Sequence, residues 1–524
     1  MTAQPPDEPA DSSGATGPDS PHSSDGSGNP AGPEAAGPDA AARPDSPQSA
    51  RRRGLRRFSL RGMFADTRPL QYGHFRRLWT ANIITAIGAQ LTIVAVPAQI
   101  YSMTESSAMV GLTGVFGLVP LVVFGLWGGA MADAMDRRKL LMVTTTGLIV
   151  TAALFWLQAA LGLENVWLLL VIFALQQAFF GLNQPVRTAI LPKIVPMRLL
   201  PSATSLNMTV VMAGAIVGPL AGGALIPVMG FAWLYLADTV FLFATLYAVV
   251  RLPSLVPDNA IGSPGLRSVI DGFRYLAIHP VLLMSFVVDL IAMIFGMPRI
   301  LFPQIAHEGF GGPVDGGIVY ALLFAAIPAG TVLGGIFSGW VSRVRRQGLA
   351  VVNAIIVWGA AVTFFGIAVG LAQRAREHAG APGASARAGA EAGSGSAAEA
   401  GPSAAAGAGL LGPDGGALLT GPVLVLLVLA LLMLVVGGAA DMASAAFRTT
   451  MLQEAASDEV RGRLQGVFIV VVAGGPRLAD ILHGWAADGV GTVWATSGGG
   501  VLVIVGVVLA CLLVPAFHRY RVER

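Results

Sequence analysis

The chain has 524 residues, of which 54% are hydrophobic and only 12% charged, with 66 glycines and a mean hydropathy of +0.67. Soluble domains carry roughly 25% charged residues, so this composition excludes a soluble protein and indicates a chain that crosses a membrane many times. The formal charge of +3 gives no broad basic face for nucleic acid, and a single cysteine, Cys511, excludes an internal disulfide and a cysteine-rich metal site.

Residues 1–50 are mostly Pro, Ser, Gly, Ala and Asp, with almost nothing apolar to bury, and are expected to form a disordered tail. They lack the apolar core of a signal peptide. The run "RRRGLRRFSLRG" follows directly before the first hydrophobic segment, where a juxtamembrane basic cluster meets anionic cytoplasmic lipid. Residues 1–73 therefore form a tail assigned to the cytoplasm.

Twelve segments then approach the ~20 residues needed to span hydrocarbon. They cover roughly 78–101, 109–132, 140–161, 166–186, 204–226 and 231–250, then 281–303, 317–341, 349–371, 421–445, 464–487 and 498–516. The expected fold is all-α, an integral membrane protein whose twelve transmembrane helices form two six-helix halves, 74–250 and 281–516. Between them, 251–280 reads as a cytoplasmic linker ending in "LRSVIDGFRYLAIHP", which has the spacing of an amphipathic surface helix. The Ala/Gly/Ser tract 372–420 reads as a flexible outer loop, and 517–524 as a short cytoplasmic tail.

With both termini cytoplasmic, Lys and Arg fall on that side except for Arg374, Arg376 and Arg387 in outer loops and Arg299 and Arg477 within spans. A weak echo between "VPLVVFGLWGGAMADAMDRRKLL" and "IPAGTVLGGIFSGWVSRVRRQGLA" relates the halves, as internal repeats do in secondary transporters.

After the second span, "GGAMADAMDRRKLL" sets Gly129, Asp133, Arg137, Arg138 and Lys139 in one cytoplasmic turn. Gly129 permits a close helix approach, Asp133 is placed to accept from a helix N-terminus, and the basic cluster anchors the helix end. The fifth span carries "GAIVGPLAGG", with Gly214, Gly218 and Gly222 on one face beside Pro219. Gly330, Gly334 and Ser338 give the eighth a similar face, so these two helices are expected to pack across the halves.

The first of these stretches resembles the loop motif of the major facilitator superfamily, and the second its antiporter motif. Ala134 and Asp136 depart from the usual basic residue and glycine. Further segments, "AVPAQIYSMTESSAMVGL", "YALLFAAIPAGTVLGGIFSGW" and "RTTMLQEAASDEVRGRLQGVF", are similar to the bacterial enterobactin exporter family in the drug:proton antiporter group. The resemblance runs from about residue 74 and leaves out the tail and the 372–420 tract. It implies that the first, fourth, seventh and tenth helices line a central path and that the cytoplasmic loop acts as a conformational latch.

Asp238, Asp289, Asp441, Arg477 and Asp480 fall within predicted spans, with Arg299 toward the outer end of the seventh. A charge on the lipid face costs about 2.5 to 3.5 kcal/mol even on the mildest scale, so these side chains should face the bundle interior. Arg477 and Asp480 stand about one turn apart on one helix face, where the arginine neutralises the aspartate; the pair serves either as a brace or as a binding site. His483 reads as a bystander. Asp289 has no partner on its own helix and is the first candidate for proton exchange, with Asp441 on the same path and Asp238 on a more peripheral helix. Asn82, Gln90, Gln176, Gln177 and Asn183 supply uncharged hydrogen-bonding groups, as substrate contacts or as interhelical bonds.

The function implied by the resemblance is secondary export of a siderophore or similar small molecule, driven by proton antiport through alternating access. The alternative is proton-coupled efflux of drugs of the macrolide or tetracycline type. Neither Lys139 nor Lys193 sits in a phosphate-loop motif, and no HExxH, GxSxG or cysteine cluster is present, so an ATPase or membrane enzyme is not expected. The expected partners are the lipid bilayer, protons and a small-molecule substrate, with no cofactor, metal or nucleic acid. The protein is expected as a monomer in the bacterial inner membrane.

Overall fold

The computed structural model describes residues 66–255, 266–390, 421–455 and 458–521. Residues 1–65, with the whole basic run, and most of the Ala/Gly/Ser tract lie outside the described residues. Within them every regular element is a helix. We number the main helices α1 Gly73–Thr104, α2 Ser107–Ala134, α3 Arg137–Ala160, α4 Val166–Ile194, α5 Leu200–Val250, α6 Leu266–Ala277, α7 Pro280–Gly296, α8 Ile318–Ile336, α9 Gln347–Ala390, α10 Gly421–Ala455, α11 Asp458–Val490 and α12 Thr492–Leu513. Ten helical stretches are long and apolar enough to cross a membrane, so this is a multi-pass membrane protein.

α5 accounts for two of the segments read from sequence. Its 51 residues are interrupted at Gly230, whose φ of 77° lies where only glycine turns without strain. Contacts with α1 show that the chain reverses there. In the first limb, Leu206 accepts from Trp79 Nε1 at 3.2 Å and a Cβ at Gly222 would lie 3.2 Å from Leu91, so both numberings rise together. In the second limb, Tyr235 reaches Gln99 at 2.8 Å, Asp238 meets Thr92 at 2.6 Å and Thr245 meets Thr85 at 3.2 Å, so one rises as the other falls.

The glycine faces pack differently from expectation. Gly214, Gly218 and Gly222 seat α5 on α1, where a Cβ at Gly214 would lie 3.2 Å from that of Ala86. Gly334 of α8 meets α10, with a Cβ there 2.9 Å from Ala439 Cα. Each face thus tightens its own half, by letting the backbone of the adjacent helix of that half come close. The crossing between halves on α5 and α8 falls instead at Gly223, whose Cβ would lie 2.9 Å from Ala321 Cα and whose carbonyl accepts from Gly317 N–H at 2.9 Å.

α6 is the short amphipathic helix anticipated in the linker; Leu276 buries against Leu282, Phe286, Val467 and Val471 while Ile270 and Phe273 stay exposed. α9 runs on to Ala390, so the beginning of the tract read as a loop is helical. That extension places Arg376 on α9, from which its Nη1 donates to the carbonyl of Glu308 at 2.6 Å.

The end of the bundle away from the termini is bound shut. Tyr101 donates to Glu308 at 3.1 Å, Ser107 to Gln304 at 2.6 Å and Ser106 to Asp488 at 2.6 Å, and Tyr320 donates to the Val94 carbonyl at 2.8 Å. Each bond joins one half to the other. A single apolar cluster including Val94, Tyr101, Tyr235, Phe302, Phe310, Tyr320 and Phe365 fills the space behind them. Phe302 and Phe310 come from the irregular turns after α7, which fold back into the core instead of leaving it.

Candidate substrate cavity and buried ion pairs

The five uncharged polar residues singled out from sequence converge. Asn82 and Gln90 of α1 and Gln176, Gln177 and Asn183 of α4 line one cavity of 280 Å³ on the terminal side of the N-terminal half. Two of them also bond between helices. Asn183 Nδ2 donates to Thr144 Oγ1 at 2.8 Å, and Asn82 accepts from Arg187 Nη2 at 2.7 Å. Asp238 lines the same cavity, although its helix was expected to be peripheral, because the reversal at Gly230 turns the second limb of α5 back along α1. Thr92 Oγ1 donates to its Oδ2 at 2.6 Å, leaving Oδ1 without a partner.

At the inner end of this cavity lies Arg477. It also lines a smaller cavity of 80 Å³, toward the closed end, with Arg299, Asp480, Phe173 and Thr113. The expected partner of Asp480 was Arg477, one turn away. Its principal partner is Arg299, which bonds both carboxylate oxygens through Nε at 3.1 Å and Nη2 at 2.9 Å. Arg477 stays 3.8 Å away and lies over the Phe173 ring, 5.3 Å from its centre. The turn Pro298–Leu301 brings Arg299 in side-on with the two-pronged geometry that a carboxylate prefers, which an arginine three residues before Asp480 on the same helix does not reach. His483 Nε2 meets the Phe295 carbonyl at 3.1 Å, a bond that braces α11 against α7.

Asp289 is not alone. Arg448 of α10 forms an ion pair with it; Asp289 is buried and Arg448 is partly buried. Asp441, two turns earlier on α10, lines the same 140 Å³ cavity with Asp289, Arg448, Ser285 and Thr449. Arg448 escaped notice because hydropathy ended that span near residue 445, whereas α10 continues to Ala455. Arg187 was passed over in the same way, just beyond the apolar part of α4.

Three further glycines were missed. Gly111, Gly114 and Gly117 recur every third residue of α2 and let α11 approach. A Cβ at Gly111 would lie 2.8 Å from the Asp480 carbonyl oxygen, and one at Gly117 would lie 3.1 Å from the Arg477 guanidinium carbon. Their spacing was legible as a small-residue stripe, but nothing in it named the partner.

The loop after α2 is only partly described, since the Asp133 side chain lies outside the described residues. Near Gly129, the close approach is made by Gly128, where a Cβ would lie 2.8 Å from Leu182 Cα of α4. Arg137 donates to the Ala132 carbonyl at 3.1 Å and Arg138 to the Val250 carbonyl at 2.7 Å. Asp136, the departure from the family pattern, caps α3 by accepting from Arg138 N–H at 3.0 Å, and takes the Ser254 hydroxyl at 2.7 Å and Leu255 N–H at 3.0 Å. Burial alone would raise this carboxyl, but those three donors and the charge of Lys139 hold it below the ordinary carboxylate range. Among the described residues no group of His, Cys, Asp and Glu is placed to hold a metal ion.

Known proteins resemble this chain in sequence and in fold. Residues 64–379 match the family model described as transmembrane secretion effector. The enterobactin exporter EntS of Shigella boydii serotype 18 is 29% identical over 300 residues, covering 56% of this chain and 70% of that protein, and its Escherichia coli O1:K1 counterpart matches to the same extent. Among solved structures, the nucleoside transporter NupG superposes with a TM-score of 0.58 at 11% identity over 85% of this chain and 98% of its own. A bacterial homolog of the human lysosomal transporter Spinster gives 0.54 at 15% identity over 86% and 97%. The latter two likenesses concern the fold alone. With two helical halves around polar cavities and a matching family model over more than half its length, this chain belongs to the transmembrane secretion effector family of the major facilitator superfamily and is a membrane transporter, not an enzyme.

Proposed function

We propose that the protein is a secondary exporter of the bacterial inner membrane, moving a siderophore or similar small molecule outward in exchange for protons. The observation that carries this reading is the asymmetry of the bundle. A polar cavity lies on the side of the termini, while hydrogen bonds between the halves close the opposite end. With both termini cytoplasmic, that is the inward-facing arm of an alternating-access cycle. Counting the two limbs of α5 separately and adding α11, which runs along α2, gives twelve passes in a monomer.

Two buried acids are placed to couple protons. Asp289 is held by Arg448 and Asp480 by Arg299, so protonating either carboxyl dissolves a cross-element ion pair and changes which packing of the helices is preferred. Asp441 and Asp238 are secondary candidates, each lining a cavity without an arginine partner of its own among the described residues. The similarity to an enterobactin exporter supports the choice of cargo. The test is mass spectrometry of iron-starved culture medium and cell extract with the gene present and deleted. Loss of an iron chelator from the medium, with its build-up inside, is the expected result. An unchanged secreted profile with increased sensitivity to macrolides or tetracyclines would replace this cargo by drugs.

A further inference from the structure

The charges around the larger cavity do not balance. Arg187 and Arg477 line it, and among the described residues the only carboxylate on its wall is Asp238. Arg187 bonds to the neutral amide of Asn82 and to no carboxylate among the described residues. Arg477 approaches Asp480, but that acid already spends both oxygens on Arg299. Three guanidinium groups therefore share two acids across the connected polar interior, and the cavity remains positive whether Asp238 is ionised or protonated. A buried cation without a counter-ion is expensive in hydrocarbon surroundings, and a cavity maintained at that cost is suited to a ligand that supplies the missing charge.

We infer that this cavity selects an organic anion, with Arg187 and Arg477 as the groups that receive it. Aromatic surface accompanies the charge: Phe180 is exposed on the cavity wall, while the buried Phe173, beneath the Arg477 guanidinium, belongs to the smaller cavity. Guanidinium groups donate paired N–H bonds to carboxylate, phenolate or sulfonate oxygens, and the Phe180 face takes a flat ring. The preferred ligand is thus a ring-bearing anion. A lipophilic cation meets like charge at both anchor points. The inference rests on the exporter reading for its biological sense, but the charge preference is a property of the cavity and is measurable by binding alone.

The test uses fluorescein, an anion at neutral pH, and rhodamine 123, a cation on the same three-ring frame. Anisotropy titrations of the full-length chain in detergent should show fluorescein binding about tenfold or more tightly than rhodamine 123. Arg187→Gln and Arg477→Gln should each weaken fluorescein about fivefold or more, while Arg187→Lys and Arg477→Lys, which keep the charge but lose the paired donors, should weaken it less than the glutamine variants, with an unchanged gel-filtration profile. Equal or tighter binding of rhodamine 123, no binding of fluorescein, or unaltered fluorescein affinity in both glutamine variants overturns the inference. Uptake into everted vesicles, driven by an imposed pH gradient with the potential clamped by valinomycin, separates the two readings. Charge-selective binding without uptake refutes export and leaves the anion site standing. Equal uptake of both dyes supports export and refutes the anion site.

Discussion

Removing Arg448 and removing Asp289 should have different consequences. Breaking a buried ion pair by deleting one partner costs roughly 3 to 5 kcal/mol, because the remaining charge is left without compensation. Arg448→Gln strands the carboxylate of Asp289, which is 3% exposed, whereas Asp289→Asn strands the Arg448 guanidinium, which at 11% exposed is the less deeply buried of the two. Both are expected to lower the melting temperature of the purified protein, the first more than the second. Asp289→Asn/Arg448→Gln should recover stability relative to Arg448→Gln alone. Both Asp289 variants should lose proton-coupled efflux, as read by substrate-induced pH changes in proteoliposomes. Full coupling in Asp289→Asn would move the proton to Asp480 or Asp441. The pairing itself was not legible in sequence. Periodicity shows that a carboxylate faces inward, but its partner belongs to another helix and lies beyond the apolar stretch that marked that helix. Arg477 was misleading for the same reason, since local spacing offered a partner for Asp480 and tertiary packing supplied a better one.

At the scale of the element, the α3 cap and the α2 seam carry separate expectations. Asp136 is below its ordinary range in the folded protein, so the stability it contributes is complete above its unfolded value of about 3.9 and fades as pH falls through the lower, folded value. Asp136→Ala should cost about 0.5 to 2 kcal/mol at neutral pH, as lost N-caps do, and free the Ser254 and Leu255 segment to proteolysis. The stability gap between wild type and variant, followed by thermal melts, should narrow as the medium is acidified below pH 4. A gap constant down to pH 3 would assign the effect to something other than this carboxylate. On α2, Gly114 lies against α11, where a Cβ would lie 3.2 Å from that of Asp480. Gly114→Leu should push the helices apart by an ångström or more and remove transport together with fluorescein binding, since Arg477 sits one turn along the same contact. The existence and order of these helices were legible because hydropathy over ~20 residues is dictated by the membrane itself. Their faces were less so: α5 and α8 do meet across the halves, but at Gly223 and Ala321, while the small-residue stripes that announced close packing face α1 and α10.

For the whole molecule, the two-half architecture followed from composition and repetition, while the conformation did not, because alternating states share one sequence and one hydropathy profile. The bonds at the far end make that conformation testable. Ser107 on α2 and Gln304 in the turns after α7 are joined by a 2.6 Å hydrogen bond across the halves. If the halves rock about the cavities, this contact must open once per cycle, and the free energy of one such bond in a membrane, about 0.6 kcal/mol on average, is small enough to permit it. In a background where Cys511 is replaced by serine, Ser107→Cys/Gln304→Cys should cross-link with a short thiol reagent and stop efflux, and reduction should restore it. Ligand binding from the terminal side should survive the cross-link, since that cavity lies on the other side of the locked contact. Efflux that continues at full rate in the cross-linked protein would mean that the far end stays closed during transport, and the exit path would then have to run laterally, into the bilayer.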